Sequence, residues 1–395
     1  MDYGDDMMID LEGIGPVAVL PFQPEAPMKE TLAWKTDLIT SWDGSEFRQE
    51  IRHAPRQSFE LACPVQPEFQ PLAQHLIYGA RNADHWGVPV WAELQRVGAV
   101  SFGATTIAAD TTSRDFRVGG WVILWEDPEK WRVRQILSLT PTQIEITEQV
   151  GLTMRYAWVA PLRIARLGAT PERSLNGYRS DLDMAFDVVD NVRLPDPSGI
   201  VTYEGFDLVT WDNLMSGMAT NEKTNSHIEL LDYDAGLVGQ FHRWLRPKSV
   251  RPLRVILRGA AELWAFRRWL HRRAGRLRPF WIPSGEPDLW LDMIGPITTH
   301  VMFRDNGFMA MAARPEHIAI QAADGTWYAR KLVEPILTGS IVTAELDTPL
   351  PSVDSGGVLR VSFLGLKRLD TDRVDLEHRG GAVCTCEMNI LELRA

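Results

Sequence analysis

A chain of 395 residues exceeds what one hydrophobic core organises, since cores stop growing near ~250–300 residues, so its length implies two or three domains. With 45% apolar and 24% charged residues it has the composition of a folded protein, which excludes a disordered or collagen-like chain. A net charge of -11, from 41 Lys and Arg against 52 Asp and Glu, excludes a surface that grips nucleic-acid phosphates throughout and leaves local basic patches open.

The first twenty-eight residues hold no Lys or Arg, and Asp2, Asp5, Asp6, Asp10 and Glu12 stud them. No cationic leader is expected there; residues 1–29 read as an acidic amino-terminal segment whose first dozen residues are a mobile tail with no core of their own. Trp34 to Leu61 alternates apolar and polar residues (Ile51, Phe59, Leu61) around breaks at Asp43-Gly44 and Ala54-Pro55-Arg56, as antiparallel strands with tight turns do. Leu72, Leu76, Ile77 and Ala80 then recur at helical spacing after Pro71, with Gly87 as a terminator. Later, Ile228 to Leu257 repeats the strand pattern, with a turn at Asp234-Ala235-Gly236 and a strand whose Leu253, Val255 and Leu257 face inward while Arg254 and Arg258 face out. A second helix follows over Ala261, Leu263, Phe266, Trp269 and Leu270, ending near Gly275. No apolar run approaches the ~18 residues of a membrane span. Three cysteines, Cys63, Cys384 and Cys386, make no disulfide scaffold and point to a reducing cytoplasm.

The chain therefore reads twice. Val88-Pro89-Val90-Trp91 is echoed by Arg278-Pro279-Phe280-Trp281. Asp127-Pro128-Glu129-Lys130-Trp131-Arg132-Val133-Arg134 is echoed by Ala323-Asp324-Gly325-Thr326-Trp327-Tyr328-Ala329-Arg330. Leu162-Arg163-Ile164-Ala165-Arg166-Leu167 parallels Leu364-Gly365-Leu366-Lys367-Arg368-Leu369. The expected architecture is β-rich α+β: two tandem units, residues 30–170 and 205–395, each with strands, one flanking helix, a Pro-aromatic-Trp strand and a β-meander. Residues 171–204, with Pro171, Pro195, Pro197, Ser198 and Gly199, read as a linker whose Met184-Ala185-Phe186 and Val188-Val189 join a sheet.

Catalytic patterns are absent from the sequence. Nine scattered histidines show no ligand spacing, and there is no G-x-S-x-G elbow, phosphate-binding glycine loop or dinucleotide fingerprint. Carboxylate pairs such as Glu145 with Glu148, Asp181 with Asp183 and Glu345 with Asp347 suit a glycosidase only if brought across a cleft. Cys384 and Cys386 would share a strand face, offering two ligands to a soft metal or packing as small core residues. No cofactor, metal or turnover is expected. The segment Phe266 to Arg278 is a basic amphipathic helix with six arginines. Its cationic face (Arg267, Arg268, Arg272, Arg273, Arg276) fits an acidic face of a neighbouring protein best, with a solvated face and nucleic acid as alternatives. Fifteen tryptophans suit core packing, interface anchors or carbohydrate stacking. The repeated Trp91, Trp281, Trp131 and Trp327 are expected in cores.

The succession Tyr203-Glu204-Gly205-Phe206-Asp207-Leu208, Ile228 to Gly236, an Arg-rich helix, Arg278-Pro279-Phe280-Trp281-Ile282-Pro283-Ser284 and Asp288-Leu289 resembles tail-tip proteins of long-tailed bacteriophages. Trp34-Lys35-Thr36-Asp37 before Asp43-Gly44 repeats it faintly. The resemblance implies a distal-tail or baseplate-hub subunit on the tail-tube fold: two tail-tube-like β-sandwich or barrel units, closing into a ring around the DNA channel of the virion. Two units per chain suit a trimer with pseudo-six-fold symmetry, a hexamer being the other possibility. Implied partners are the tail tube protein and tail-tip hub or fibre proteins, with phage DNA passing without specific binding and no membrane contact. The competing expectation is a host-glycan-binding or depolymerising tail protein.

Overall fold

The computed structural model describes the chain except residues 1–7, 42, 80–82, 212–220, 227, 233, 235, 243–247, 312, 352, 381 and 394–395. Asp2, Asp5, Asp6, Ala80 and Ala235 thus lie outside the described residues.

Strands dominate, with two α-helices among the described residues. The amino-terminal half runs β1 (Met8–Leu11), β2 (Gly15–Val19), β3 (Met28–Ala33), β4 (Thr36–Thr40), β5 (Glu46–Glu50) and β6 (Arg56–Val65). Helix α1 (Gln70–Gly79), β7 (His85–Pro89), β8 (Gln95–Val100) and β9 (Thr106–Ala108) follow. The half closes with β10 (Trp121–Asp127), β11 (Lys130–Thr140), β12 (Gln143–Ile146), β13 (Met154–Leu167), β14 (Glu172–Asn176) and β15 (Arg179–Val188). The carboxy-terminal half runs β16 (Thr202–Tyr203), β17 (Phe206–Leu208), β18 (Lys223–Asn225), β19 (Ile228–Leu231), β20 (Gly239–His242) and β21 (Lys248–Arg258). Then come α2 (Gly259–Arg273), β22 (Phe280–Pro283), β23 (Pro296–Ile297), β24 (His300–Arg304), β25 (His317–Ala322), β26 (Trp327–Thr338) and β27 (Ile341–Leu346). Last are β28 (Val353–Asp354), β29 (Val358–Leu369), β30 (Arg373–Arg379) and β31 (Val383–Glu392).

Side-chain alternation explains the strands. Phe59, Leu61, Cys63 and Val65 of β6 are buried while Glu60 and Ala62 between them are exposed, the period of a sheet with one covered face. β13 instead buries Val159 to Ala165 continuously, because both of its faces are covered. It is the hub of its half, pairing with β7, β8, β10 and β15.

The same pairing scheme occurs in both halves. β13 sets Ala165 against Val188 of β15 and Leu162 against Pro89 of β7; β29 sets Lys367 against Glu392 of β31 and Leu364 against Pro283 of β22. β2 lies parallel to β7 as β17 lies parallel to β22, and β6 lies beside β15 as β21 lies beside β31. The meander β10, β11, β12 and β9 is matched by β25, β26, β27 and β24. Arg134 and Arg330 occupy matching places and do the same work: Arg134 donates to the carbonyls of Val133, Gln149 and Val150, and Arg330 to those of Ala329, Thr348 and Pro349. Each half has a body core beneath its helix and a separate meander core, around Ile144 in one and Val342 in the other.

Several expectations change. The expected tail is sheet from Met8 on: Met8–Leu11 pairs with β2 and Leu11 is buried, because the apolar run Val17 to Leu20 that follows is itself fully buried and inserts β2 beside β7. The sheet expected within the linker at Met184-Ala185-Phe186 is there and runs further, since β14 and β15 cover residues 172–176 and 179–188 and β15 pairs with β6 over eight residues from Ser180 to Asp187. Gly87 lies within β7, and α1 ends at Gly79. The Trp91–Trp281 match is out of register: Trp281 stands opposite Leu366, the place Gly87 holds opposite Ile164, and Trp91 falls on a 3-10 turn beyond β7. The Trp131–Trp327 match keeps register. Trp91, Trp131 and Trp281 are buried and Trp327 is half-buried under Arg360.

Candidate assembly site at the seam between the halves

The halves meet along an antiparallel pair, β3 against β30, with Met28 opposite His378 and Ala33 opposite Arg373. β3 also pairs with β6, so one sheet runs unbroken from half to half. Leu32 and Trp34 of the first half pack into the core beneath α2 of the second.

Charge lies at the centre of this seam. The face of β3 that carries Leu32 and Trp34 also carries Glu30, which is fully buried. Its carboxylate takes hydrogen bonds from Gln57 Nε2 at 2.7 Å, from Arg267 and, at 2.8 Å, from His378 Nε2. Burial alone would raise the Glu30 pKa, but Arg267, with His378 and Gln57, holds it far below the usual carboxylate range. Arg267 also donates to Glu93, on the 3-10 turn Trp91–Glu93 of the first half. Burial holds Glu93 above its ordinary value despite Arg267. Glu93 accepts the Asp115 amide at 2.7 Å, and Asp115 is gripped by Arg117 at 2.5 and 2.9 Å and by Arg163. Three carboxylates and three guanidiniums thus interlock, five of the six residues being under 9% exposed.

His271, one turn beyond Arg267 on α2, accepts the Leu194 amide through Nδ1 at 3.1 Å and meets the Trp34 ring edge-on at 5.8 Å. Burial pushes its pKa down to about 4, so it is neutral at pH 7. A small polar cavity lined by Gln57, Asp115, Arg117, Asn191 and His271 opens beside it.

The other helix arginines also act within the chain. Arg268 donates to the Pro195 and Asp196 carbonyls. Arg272 makes a two-pronged contact with Asp207 at 2.7 and 2.9 Å and also reaches Asp196. Arg273 is buried, bonds Asp207 and the Pro279 carbonyl, and has a pKa lowered by burial to about 10. Arg276 and the start of β4 share Asp372, which takes the amides of Arg276 (2.9 Å) and Thr36 (2.8 Å). The face expected to meet a neighbouring protein is therefore spent within the chain, because acidic partners for it stand there: Arg267 clasps α2 to the first half, Arg268 and Arg272 to the connecting segment, and Arg272, Arg273 and Arg276 to Asp207 and Asp372 of the second half itself.

A second clasp lies at the hairpin β4–β5. Glu46 of this hairpin is held by Arg368 at 2.8 and 3.0 Å and by Lys248 at 3.0 Å, both from the second half.

Sequence reasoning missed Glu30, Glu46, Glu93, Asp115, Asp207, Asp372, His271 and His378. Glu30 alone left a signal, a carboxylate in step with Leu32 and Trp34 on the apolar face of a strand. Cys384 and Cys386 pack in the core beneath α2, and burial pushes the Cys384 thiol up to about 12. Among the described residues no cluster of three His, Cys, Asp or Glu side chains is arranged for a metal ion, and no helix is long and apolar enough to cross a membrane.

A buried ion network of this kind adds little net stability, because desolvation offsets attraction; what it penalises is any other register. The seam is therefore suited to holding two bodies in one relation. No protein family matches the chain, and no curated protein matches it either.

Proposed function

We propose that the protein is a structural subunit of a bacteriophage tail tip, built from two tandem tail-tube-like units and forming a ring that joins the tail tube to the baseplate and receptor-binding machinery around the DNA channel. Its role is mechanical and involves no turnover.

One observation carries this reading: the halves join through unlike surfaces, β3 of one against β30 of the other, within a shared pairing scheme. A contact between unlike surfaces of like units propagates head to tail and closes into a ring when its rotation closes. Three chains would then present six quasi-equivalent units, matching a six-fold tube above and three-fold hub or fibre proteins below. Burial of Trp91, Trp131 and Trp281 supports packing over a sugar-stacking platform.

The test is mass photometry with negative-stain imaging of the purified chain. Closed rings of three copies are expected, and six copies would favour the true hexamer. A monomer at micromolar concentration overturns the proposal, and a monomer that binds or cleaves capsular glycans replaces it with the carbohydrate-directed alternative.

A further inference from the structure

Among the strands paired on one side only in the described residues are β14, paired with β15, and β18, paired with β21. They are the counterparts of the two strands that make the seam. Arg173 of β14 faces Leu182, which faces Cys63 of β6; Leu376 of β30 faces Cys386, which faces Val255 of β21. Arg173 therefore holds the place of Leu376, and Glu172 that of Asp375. On the other side, Thr31 of β3 faces Ser58 and Lys223 of β18 faces Val250, and these stand on their ladders opposite Asp187 and Leu391. Lys223 therefore holds the place of Thr31, and Glu222 that of Glu30.

We propose that the seam is repeated between copies of this chain, β18 of one copy adding antiparallel to β14 of the next. Within the chain Glu30 faces Leu376 and Thr31 faces Asp375. Transposed to the junction between copies, Glu222 faces Arg173 and Lys223 faces Glu172, two opposite-charge pairs directly across the ladder. No other register aligns both. Glu222, Lys223 and Glu172 are exposed, and exposed charge is what keeps an open edge from indiscriminate pairing. Within their own chain Glu222 stands 3.8 Å from Lys367, and Arg173 donates to Gln70. Leu175, 73% exposed at the β14 edge, holds the place of His378, which the seam buries.

The hairpins repeat the argument. β4–β5 is clasped onto the second half through Glu46, Arg368 and Lys248. Its counterpart β19–β20 carries exposed Leu230 and Phe241, with Leu237 exposed in its turn. The first-half places matching Arg368 and Lys248 are Arg166 and Arg56, both exposed. A neighbouring copy docked through β18 brings its hairpin to that surface.

The inference rests on the ring reading, and the experiment separates the two. Lys223→Glu and Glu172→Lys are made singly and together, and assembly is measured by mass photometry, with circular dichroism as a control for folding. Each single reversal is expected to weaken association tenfold or more, and the pair to restore it. Independently, Lys223→Cys with Glu172→Cys is oxidised; residues directly opposite on antiparallel strands lie at disulfide distance, so a covalent ladder ending at the closed ring is expected. A wild-type chain that stays monomeric overturns both readings. Rings that form but ignore the reversals and give no ladder overturn the β14–β18 junction alone.

Discussion

Removing Arg267 is expected to cost more than removing any other side chain at the seam. Arg267→Met keeps most of the volume, so little packing is lost, but Glu30 and Glu93 are left buried without their shared counter-charge. Breaking one partner out of a buried ion network costs about 3–5 kcal/mol. The carboxyls escape part of this by protonating, which reverses the pH dependence conferred by Glu30 and extends that of Glu93, already held above its ordinary value in the wild type. In the wild type the folded pKa of Glu30 lies below its unfolded value, so its contribution is present above about pH 4.5 and fades as pH falls below that. Without the guanidinium, burial dominates, the folded value rises above the unfolded one, and the folded state binds a proton that the unfolded state releases. The variant should therefore gain stability as pH falls from about 8 to 5, by about 1.4 kcal/mol per pH unit for each carboxyl taking up a proton. Urea unfolding followed by tryptophan fluorescence measures this, Trp34 being buried in the seam. Adding Glu30→Gln and Glu93→Gln should recover most of the loss. A loss under about 1 kcal/mol at pH 7, or pH profiles parallel to the wild type, would refute Arg267 as the counter-charge.

His271 sets a second pH dependence. Its folded pKa of about 4 lies below the unfolded 6.5, so stability is full above pH 6.5 and falls as pH drops towards 4, by up to about 3 kcal/mol. His271→Asn, whose side-chain oxygen can still accept the Leu194 amide, should flatten that window in the same urea titration. Gly275, at φ 66° with a would-be Cβ 2.3 Å from Asp372 Oδ1, should lose about 2 kcal/mol or more as Gly275→Ala. Combining it with Asp372→Ala should cost less than the sum of the two, because the clash disappears with the carboxylate. Arg134→Met and Arg330→Met each remove three bonds to carbonyls at matching places, so thermal unfolding should show similar losses of about 1–3 kcal/mol, and unlike losses would deny the equivalence of the meanders.

Backbone-driven features were legible in the sequence, and partner-driven ones were not. The Trp131 and Trp327 phrases sit on hairpins whose turns and alternation are local, so they kept register. The Trp91 and Trp281 phrases matched only by a proline and a tryptophan two residues apart. In the first half that structural place belongs to Gly87, whose would-be Cβ is 3.1 Å from Leu162 and 3.3 Å from Val19, so β2 and β13 approach there as no tryptophan would allow. The Val17 to Leu20 run was masked by its acidic flank, although a short apolar run of that length is itself the mark of a buried strand. The arginines of α2 read as a free cationic face because a helix shows which side is charged and is silent about what stands opposite. Their partners, Glu30, Glu93, Asp207 and Asp372, lie in segments far apart in the chain.

The seam within the chain and the proposed junction between chains face different physical problems, which explains why one hides its charge and the other displays it. The halves are tethered, so they meet at an effective concentration of order millimolar and can accept a buried network that contributes register rather than affinity. Copies meet from dilute solution, where exposed complementary charge speeds encounter and aligns the approach. Exposed pairs are screened, to a Debye length of about 3 Å at 1 M salt, whereas the buried network is shielded from the ions. Raising NaCl from about 0.05 M to about 1 M should therefore dissolve rings into folded monomers with the 19F resonance of 5-fluorotryptophan at Trp34, assigned by Trp34→Phe, unchanged. Rings that survive high salt would transfer the contact between copies from the strand-edge charges to apolar surface, such as Leu230 and Phe241 of the β19–β20 hairpin. A shift of that Trp34 resonance accompanying dissociation would mean that the Glu30–Arg267 network is open to solvent, contrary to its burial.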